Sequence, residues 1–253
     1  MSRTTVVTRL QTLLAGRFRR RHALQLSPRP IVSFTFDDFP RSALTVAGEI
    51  LSECGVRGTY YAAMGLLGKR TVVGDMFNRT DLEALAAAGH ELACHTLDHR
   101  LCSDTKTPEL LASCQENQRR IADVLGNCRP SSFAFPEGVV TLTAKAVLGS
   151  MYDTCRTIEP GNNRDPVDLA FLRAYPLYSR CGVTRLQDVI KRNQDENGWV
   201  ILYTHDVSGS PSRYGCTPQQ FREVVRCAVD CAAQVLPIQD AVKGFQLEGK
   251  RGG

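Results

Sequence analysis

The hydrophobic positions along the chain form short apolar runs that alternate with longer amphipathic segments. The short runs are rich in β-branched and aromatic residues, as buried strands are, and lie at 31–36, 57–63, 90–95, 131–135, 152–157, about 171–178 and 199–205. The amphipathic segments have helical periodicity and lie near 42–53, 79–88, 108–125, 141–149, 184–194 and 217–233. This regular succession predicts an α/β protein built as one parallel β/α barrel or doubly wound sheet.

Signals for helix ends support these assignments. Thr80 precedes "DLEALAAAG" and Thr217 precedes "PQQFREVVRCAVDCAA", so both are predicted N-caps. Gly89 is a predicted helix stop, and Pro218 suits a first helical turn.

Polar residues follow several of the predicted strands. Asp37 and Asp38 follow the first strand, His95 ends the third, 136–138 follow the fourth, and His205 ends the seventh. Taken singly, an Asp-Asp pair is most often a turn or helix N-cap, and a lone histidine is most often a satisfied, partly buried residue. The carboxyl ends of parallel strands share one face, however, and that face carries active sites. Together these residues therefore favour a functional site.

Composition limits the classes of protein that fit. The 253 residues are 43% hydrophobic and 23% charged, which suits one globular domain with a sizeable core. The formal net charge of +5 is modest and, outside residues 17–21, dispersed. Because no basic stripe is interleaved with aromatic residues, the sequence argues against nucleic-acid binding.

The first residues and the cysteines indicate the cellular compartment in which the protein works. The start of the chain has no apolar run of the ~7 to 15 residues that a signal peptide needs, and no segment reaches the ~18 apolar residues of a membrane span. The ten cysteines form no CxxC pair. We therefore expect a cytoplasmic protein with reduced thiols.

Four segments carry a resemblance to a known family. The chain resembles the NodB-homology polysaccharide deacetylases, carbohydrate esterase family 4, in the order and spacing of "TFDD" (35–38), "HTLDH" (95–99), "FAFPEG" (133–138) and "WVILYTH" (199–205). The resemblance covers about residues 31–242. It implies a distorted (β/α)7 barrel that hydrolyses an acetamido group on a sugar with the help of a divalent metal. We accordingly divide the chain into a basic amphipathic extension (1–30), the barrel (31–245) and a C-terminal tail (246–253).

The resemblance also suggests roles for these residues. His95 and His99 offer two nitrogen ligands, and one carboxylate completes a set suited to zinc, with cobalt, manganese or nickel as alternatives. By analogy with the family, Asp38 is the third metal ligand and Asp37 stays uncoordinated as the general base.

The remaining roles concern the leaving group and the oxyanion. His205 is the predicted general acid that protonates the leaving amine. Pro136, Glu137 and Gly138 are expected to contact the substrate, with a backbone N–H near Glu137 stabilising the oxyanion.

The sequence departs from the family pattern in two motifs. The third motif is usually Arg-x-Pro-aromatic-Gly, but Ala134 stands at the arginine position and Glu137 at the aromatic one. We expect Arg173 in "FLRAYP" to orient Asp37 instead; the alternative is that Arg173 is a surface residue. Glu137 also removes an aromatic stacking surface and adds a negative charge near the cleft, and both changes argue against the usual neutral polymeric substrate.

The fourth motif is an Asp-x-x-Asp-Trp type sequence, and it is absent near residues 152–165. The carboxylate partner of His205 is therefore open, with Asp206 and Asp153 as candidates.

The main hypothesis is a metal-dependent N-deacetylase acting on an N-acetylated saccharide or glycoconjugate. One alternative is a saccharide-binding pseudoenzyme, which Ala134 and the missing fourth motif would suggest and the intact Asp and His set opposes. A second alternative is a deacylase of a non-sugar amide or an O-acetyl ester, which would use the same residues.

Residues 5–21 form a basic amphipathic segment. Five apolar residues fall near one face at helical spacing, and five arginines supply positive charge around it. The apolar residues are Val6, Leu10, Leu13, Leu14 and Phe18, and the arginines are Arg9, Arg17, Arg19, Arg20 and Arg21. One hypothesis is peripheral association with the inner membrane face, where a substrate would be presented. The alternative is a helix that packs its apolar face on the barrel.

Overall fold

The computed structural model describes residues 6–18, 21–126 and 128–247. The strands in the described residues are β1 (His22–Gln25), β2 (Ile31–Phe36), β3 (Thr59–Ala62), β4 (Arg70–Thr71), β5 (Gly74–Asp75), β6 (Glu91–Cys94), β7 (Ser132–Ala134), β8 (Thr154–Arg156), β9 (Val167–Asp168), β10 (Tyr175–Pro176), β11 (Trp199–Thr204), β12 (Gln234–Val235) and β13 (Phe245–Leu247). The α-helices in the described residues are α1 (Val6–Ala15), α2 (Glu49–Glu53), α3 (Arg79–Ala87), α4 (Thr107–Leu125), α5 (Leu142–Met151), α6 (Val183–Glu196), α7 (Pro218–Asp230) and α8 (Ile238–Ala241).

A curled parallel sheet forms the centre of the protein. Its strand order is β10-β11-β2-β3-β6-β7-β8, and β12 pairs with β2 beside this path. Leu172 closes the curl between β8 and β10: its N–H donates to Cys155 O at 2.8 Å, and its carbonyl accepts from Thr157 N–H at 2.8 Å. The predicted distorted β/α barrel of seven strands is therefore confirmed.

Two smaller sheets join this barrel. β4 and β5 form a short hairpin, and β1 lies between β13 and β9 in an antiparallel sheet. Part of the predicted extension, residues 22–25, therefore pairs with both 245–247 and 167–168. Residues 1–5 of that extension and 248–253 of the predicted tail lie outside the described residues.

The side chains alternate between the two faces of the curled sheet, as the pleat requires. Phe34, Phe36 and Phe221 pack together between the sheet and the helices. Tyr61, Ala93 and Ala134 form a separate buried cluster. No helix in the described part of the chain is both long and apolar enough to cross a membrane.

The helix-end predictions have mixed outcomes. Thr217 caps α7 as predicted: its side chain accepts from Gln220 N–H, and Pro218 is the first helical residue. The prediction for Thr80 is wrong, because the N-cap of α3 is Asn78. The Asn78 side chain accepts from Asp81 N–H at 2.9 Å, and the Asp81 carboxylate accepts from Asn78 N–H at 2.9 Å. This reciprocal pair caps the helix at Asn78, so α3 begins at Arg79.

Candidate active site

The polar residues predicted at the strand ends converge on one cleft of about 560 Å³. Asp37 and Asp38 follow β2, His95 follows β6, Glu137 lies just beyond β7, and His205 follows β11. Apolar and aromatic side chains form the walls between them: Leu66, Val72, Val73, Ile158, Tyr178, Tyr203 and Tyr214. The sequence analysis had not identified these wall residues.

Three of the predicted residues are arranged as metal ligands would be. Asp38 Oδ1 lies 3.3 Å from His99 Nε2 and 3.7 Å from His95 Nε2, and one ligand atom from each residue lies within 4.8 Å of the other two. Asp38 Oδ1 is buried and has no hydrogen-bond partner among the described residues. One carboxylate oxygen and two imidazole nitrogens around one point are a donor set that suits zinc or a similar divalent ion. The residues present therefore fit such an ion.

His95 is held in the form that a metal ligand needs. Its Nδ1–H donates to the carbonyl oxygen of Ala134 at 2.8 Å, which leaves the Nε2 lone pair directed towards Asp38. Burial, together with the neighbouring His99, lowers the pKa of His95 to about 4. The ring is therefore neutral near pH 7, and only a neutral imidazole coordinates a metal.

Asp37 is paired with Arg156, a residue that the sequence analysis missed. The guanidinium of Arg156 donates a hydrogen bond to Asp37 Oδ1, and both side chains are buried. Burial alone would raise the pKa of Asp37, but the charge of Arg156, assisted by His95 and His205, outweighs burial and holds that pKa below its usual value. Asp37 is therefore ionised and oriented at neutral pH.

Aromatic rings enclose the guanidinium of Arg156. Its Cζ atom lies 4.9 Å from the ring centroid of Tyr61 and 5.1 Å from that of Tyr203. Cation–π contact with these two rings partly compensates the removal of this charge from water. The side chain therefore has little freedom to leave Asp37.

The prediction that Arg173 orients Asp37 is wrong. Arg173 donates instead to the carbonyl oxygen of Pro160 at 3.1 Å and packs over Gly161. Arg156 is the register partner of Ala134 in the β7–β8 pair. The positive charge missing at Ala134 is thus supplied from the adjacent strand. The sequence does contain a signal for this role. The predicted strand 152–157 holds a single arginine, and a buried arginine requires a partner.

His205 follows β11 and lies beside Asp38, across the cleft from the β7 loop. Its Nε2 is 3.9 Å from Asp38 Oδ2, and its ring centroid is 5.4 Å from that of Tyr214. Neither predicted carboxylate pairs with it. Asp206 accepts hydrogen bonds from the N–H and hydroxyl of Ser212, and the Asp153 side chain is exposed. His205 Nδ1 is buried without a hydrogen-bond partner among the described residues.

Pro136, Glu137 and Gly138 form a tight turn at the cleft. Glu137 and Gly138 both have positive φ angles, 53° and 67°. A side chain at position 138 would collide with Ile158, so this position needs glycine for space as well as for its backbone angle. The turn exposes the Glu137 side chain, which lines the cleft.

Unusual backbone angles are concentrated at this site. Seven described residues other than glycine have positive φ, and five of them lie in the aspartate, histidine and Glu137 segments: Asp38, Phe39, Thr96, His99 and Glu137. Such conformations persist only where the surrounding structure enforces them, and they cluster at functional sites.

The fold and the cleft together define a polysaccharide deacetylase type of barrel, and comparison with known proteins agrees. The family model described as polysaccharide deacetylase matches residues 26–152. The chain belongs to this family. No curated protein matches it significantly.

Solved structures show the same fold at low sequence identity. A polysaccharide deacetylase from Mycobacterium smegmatis, described as putative, has a TM-score of 0.62 and 17% identity, with 89% of this chain and 94% of that chain covered. The chitin deacetylase of Colletotrichum lindemuthianum has a TM-score of 0.60 and 14% identity, covering 86% and 89%. A family 4 acetyl xylan esterase from Clostridium thermocellum, in complex with a cobalt ion, has a TM-score of 0.58 and 19% identity, covering 84% and 90%.

Proposed function

We propose that this protein is a metal-dependent N-deacetylase that removes acetyl groups from an N-acetylated saccharide or glycoconjugate. One observation carries the proposal: an ionised aspartate, Asp37, lies beside a separate Asp-His-His cluster, and a further histidine, His205, faces the same cleft. Base, metal ligands and acid are the groups that hydrolysis of an amide requires.

Asp38, His95 and His99 would hold the ion. A divalent ion bound there supplies Lewis acidity, which lowers the pKa of water and polarises an acetyl carbonyl. Three protein ligands leave coordination positions for water and substrate.

Asp37 acts as the general base in this proposal. Its carboxylate accepts the proton of the attacking water, and Arg156 keeps it ionised and fixed in direction. Because Arg156 reaches the reaction only through Asp37, it is a positioning residue. The loss of the family arginine at position 134 therefore does not argue for a pseudoenzyme.

His205 and the β7 turn complete the chemistry. An amide nitrogen leaves poorly unless it is protonated, and His205 is the remaining acid at the cleft. The carbonyl oxygens of Phe135 and Pro136 accept hydrogen bonds from the N–H groups of Gly138 and Val139. The Glu137 N–H takes no part in these two hydrogen bonds, and we assign it to the oxyanion.

The charges of the cleft favour a neutral or cationic saccharide, which reverses the expectation drawn from Glu137, because a carboxylate repels anions and not neutral sugars. Its described lining includes four carboxylates, Asp37, Asp38, Asp98 and Glu137, but no lysine or arginine. Arg156 offsets Asp37, and a bound ion would offset Asp38. The carboxylates of Asp98 and Glu137 then remain to repel phosphate or uronate groups.

Acetate release from a substrate panel tests the proposal. The panel contains neutral N-acetylated oligosaccharides, partly deacetylated oligosaccharides, an N-acetylated nucleotide sugar, O-acetyl esters and a non-sugar N-acetyl amide. We expect release from the first two classes, loss of release after chelation, and recovery on adding zinc or cobalt. Release from only the esters or the non-sugar amide, or release that chelation leaves unchanged, would contradict the proposal.

A further inference from the structure

The helix α1 is attached to the barrel by its polar side. Thr12 and Ala15 are its buried residues. The hydroxyl oxygen of Thr12 accepts from Val140 N–H at 3.1 Å, and Lys145 Nζ donates to the carbonyl oxygens of Ala15 and Phe18 at 2.8 and 2.9 Å. These contacts fix which face of α1 meets the protein.

The opposite face of α1 is apolar and exposed. Its five large side chains have exposed fractions of 40% to 86%: Val6, Val7, Leu10, Leu13 and Leu14. At about 100° per residue, these five span an arc of about 120° that is centred opposite Thr12 and Ala15. Phe18, in the turn that follows, is 55% exposed. The alternative in which the helix packs its apolar face on the barrel is therefore wrong.

Positive charge accompanies this face. Residues 1–30 contain seven arginines and no aspartate or glutamate. The side chains of Arg9 and Arg17 are exposed, and neither guanidinium has a hydrogen bond or ion pair with the described residues. Arg21 has a different role, because its guanidinium donates to the carbonyl oxygens of Gly149, Tyr152 and Asp153.

We propose that the exposed face of α1 docks on an anionic lipid surface. A short helix with a continuous aliphatic arc, with Arg9 beside that arc and Arg17 just after the C-terminal end of the helix, has the chemistry of an interfacial helix. In such a helix the apolar side chains enter the headgroup boundary and the arginines meet lipid phosphates. The excess of arginine over acidic residues selects anionic rather than neutral lipid. A second copy of this chain would bring the same positive charge to the interface, which disfavours self-association through this face.

The point at which α1 is attached to the barrel is close in the chain to a residue that lines the cleft. Val140, which holds Thr12, lies three positions after Glu137 in the turn that lines the cleft. The membrane-facing helix and the cleft rim are thus joined through one short segment.

Co-sedimentation of the full chain with vesicles tests this proposal independently of any enzymatic activity. The vesicles are phosphatidylcholine alone or phosphatidylcholine mixed with phosphatidylglycerol, each at low and high salt. We expect binding only to the mixed vesicles, with less at high salt. Leu10→Glu/Leu13→Glu and, separately, Arg9→Gln/Arg17→Gln should each weaken it by about tenfold or more. Val229→Glu changes an apolar residue of similar exposure on α7 and should bind as the unmodified protein does.

Three results would overturn the proposal. The first is an unmodified protein that stays in the supernatant with both kinds of vesicle. The second is equal binding by the unmodified protein and both double variants. The third is a dimer in solution that Leu10→Glu/Leu13→Glu converts to a monomer, which would identify a second copy as the occupant. Thermal unfolding of each variant checks its fold, and the arginine variant tests the charge without changing the apolar face.

Discussion

Arg156 donates a hydrogen bond to Asp37 inside the barrel, although 119 positions separate the two residues in the chain. Arg156 ends β8 and is paired in register with Ala134 on β7. Among the proteins that this chain resembles, the arginine of the third motif belongs at the position of Ala134. The pair therefore preserves an arginine–aspartate contact with the arginine on the neighbouring strand.

Replacing Arg156 tests its positioning role. Arg156→Met should lower kcat by about 10²-fold, because Asp37 loses both its direction and the charge that keeps it ionised. Burial then dominates and raises the pKa of Asp37, so the acid limb of the activity profile should move to higher pH. Arg173→Gln is the matched control, and both its rate and its pH profile should be unchanged. A larger loss in Arg173→Gln than in Arg156→Met would return the role to Arg173.

Substitutions of the two adjacent aspartates should have different effects on metal binding and turnover. Asp37→Asn should retain bound metal and lose about 10²-fold or more in turnover, because the general base is gone. Asp38→Asn should lose metal affinity, because one of three ligands is weakened. Elemental analysis and acetate release on the same samples measure both effects. Equal metal loss in the two variants would show that the assignment of roles is wrong.

His205 should control the alkaline side of the pH profile. A general acid must be protonated, so activity should fall as pH rises, and His205→Ala should remove that alkaline limb along with most of the turnover. Rates across the pH range for both proteins measure this. An alkaline limb that persists in the variant would assign protonation of the leaving amine to another group.

Glu137 should select against negative charge in the substrate. Glu137→Gln should raise kcat/KM for an anionic N-acetylated saccharide relative to a neutral one by about 3- to 10-fold, because one repulsive carboxylate is removed. Glu109→Gln, an exposed site on α4, is the control and should leave this ratio unchanged. An unchanged ratio in Glu137→Gln would mean that the carboxylate does not meet the substrate.

Much of the fold could be predicted from local patterns. The buried strands Ile31–Phe36 and Trp199–Thr204 are continuous apolar runs, and such runs followed by polar residues placed Asp37, Asp38 and His205 at one face of the barrel. That inference needed only the parallel arrangement of the strands.

Features that depend on contacts between distant segments of the chain were harder to predict from the sequence. The role of Arg156 follows from the register between β7 and β8, which no local pattern contains. Similarly, the amphipathic pattern of residues 6–14 defines an apolar face, but only the contacts of Thr12 and Ala15 show that this face is turned away from the barrel. Thr80 was the predicted cap of α3, and the reciprocal hydrogen bonds between Asn78 and Asp81 show that the cap lies two residues earlier.

Metal titration of chelator-treated protein tests the central claim most directly. Acetate release from a neutral N-acetylated oligosaccharide is followed while zinc or cobalt is added to the unmodified protein and to Asp38→Asn. We expect activity to rise from near zero and to level off at about one equivalent per chain, with no comparable rise in the variant. Full activity in protein with less than about a tenth of an equivalent of bound metal would contradict the account, as would equal recovery by Asp38→Asn.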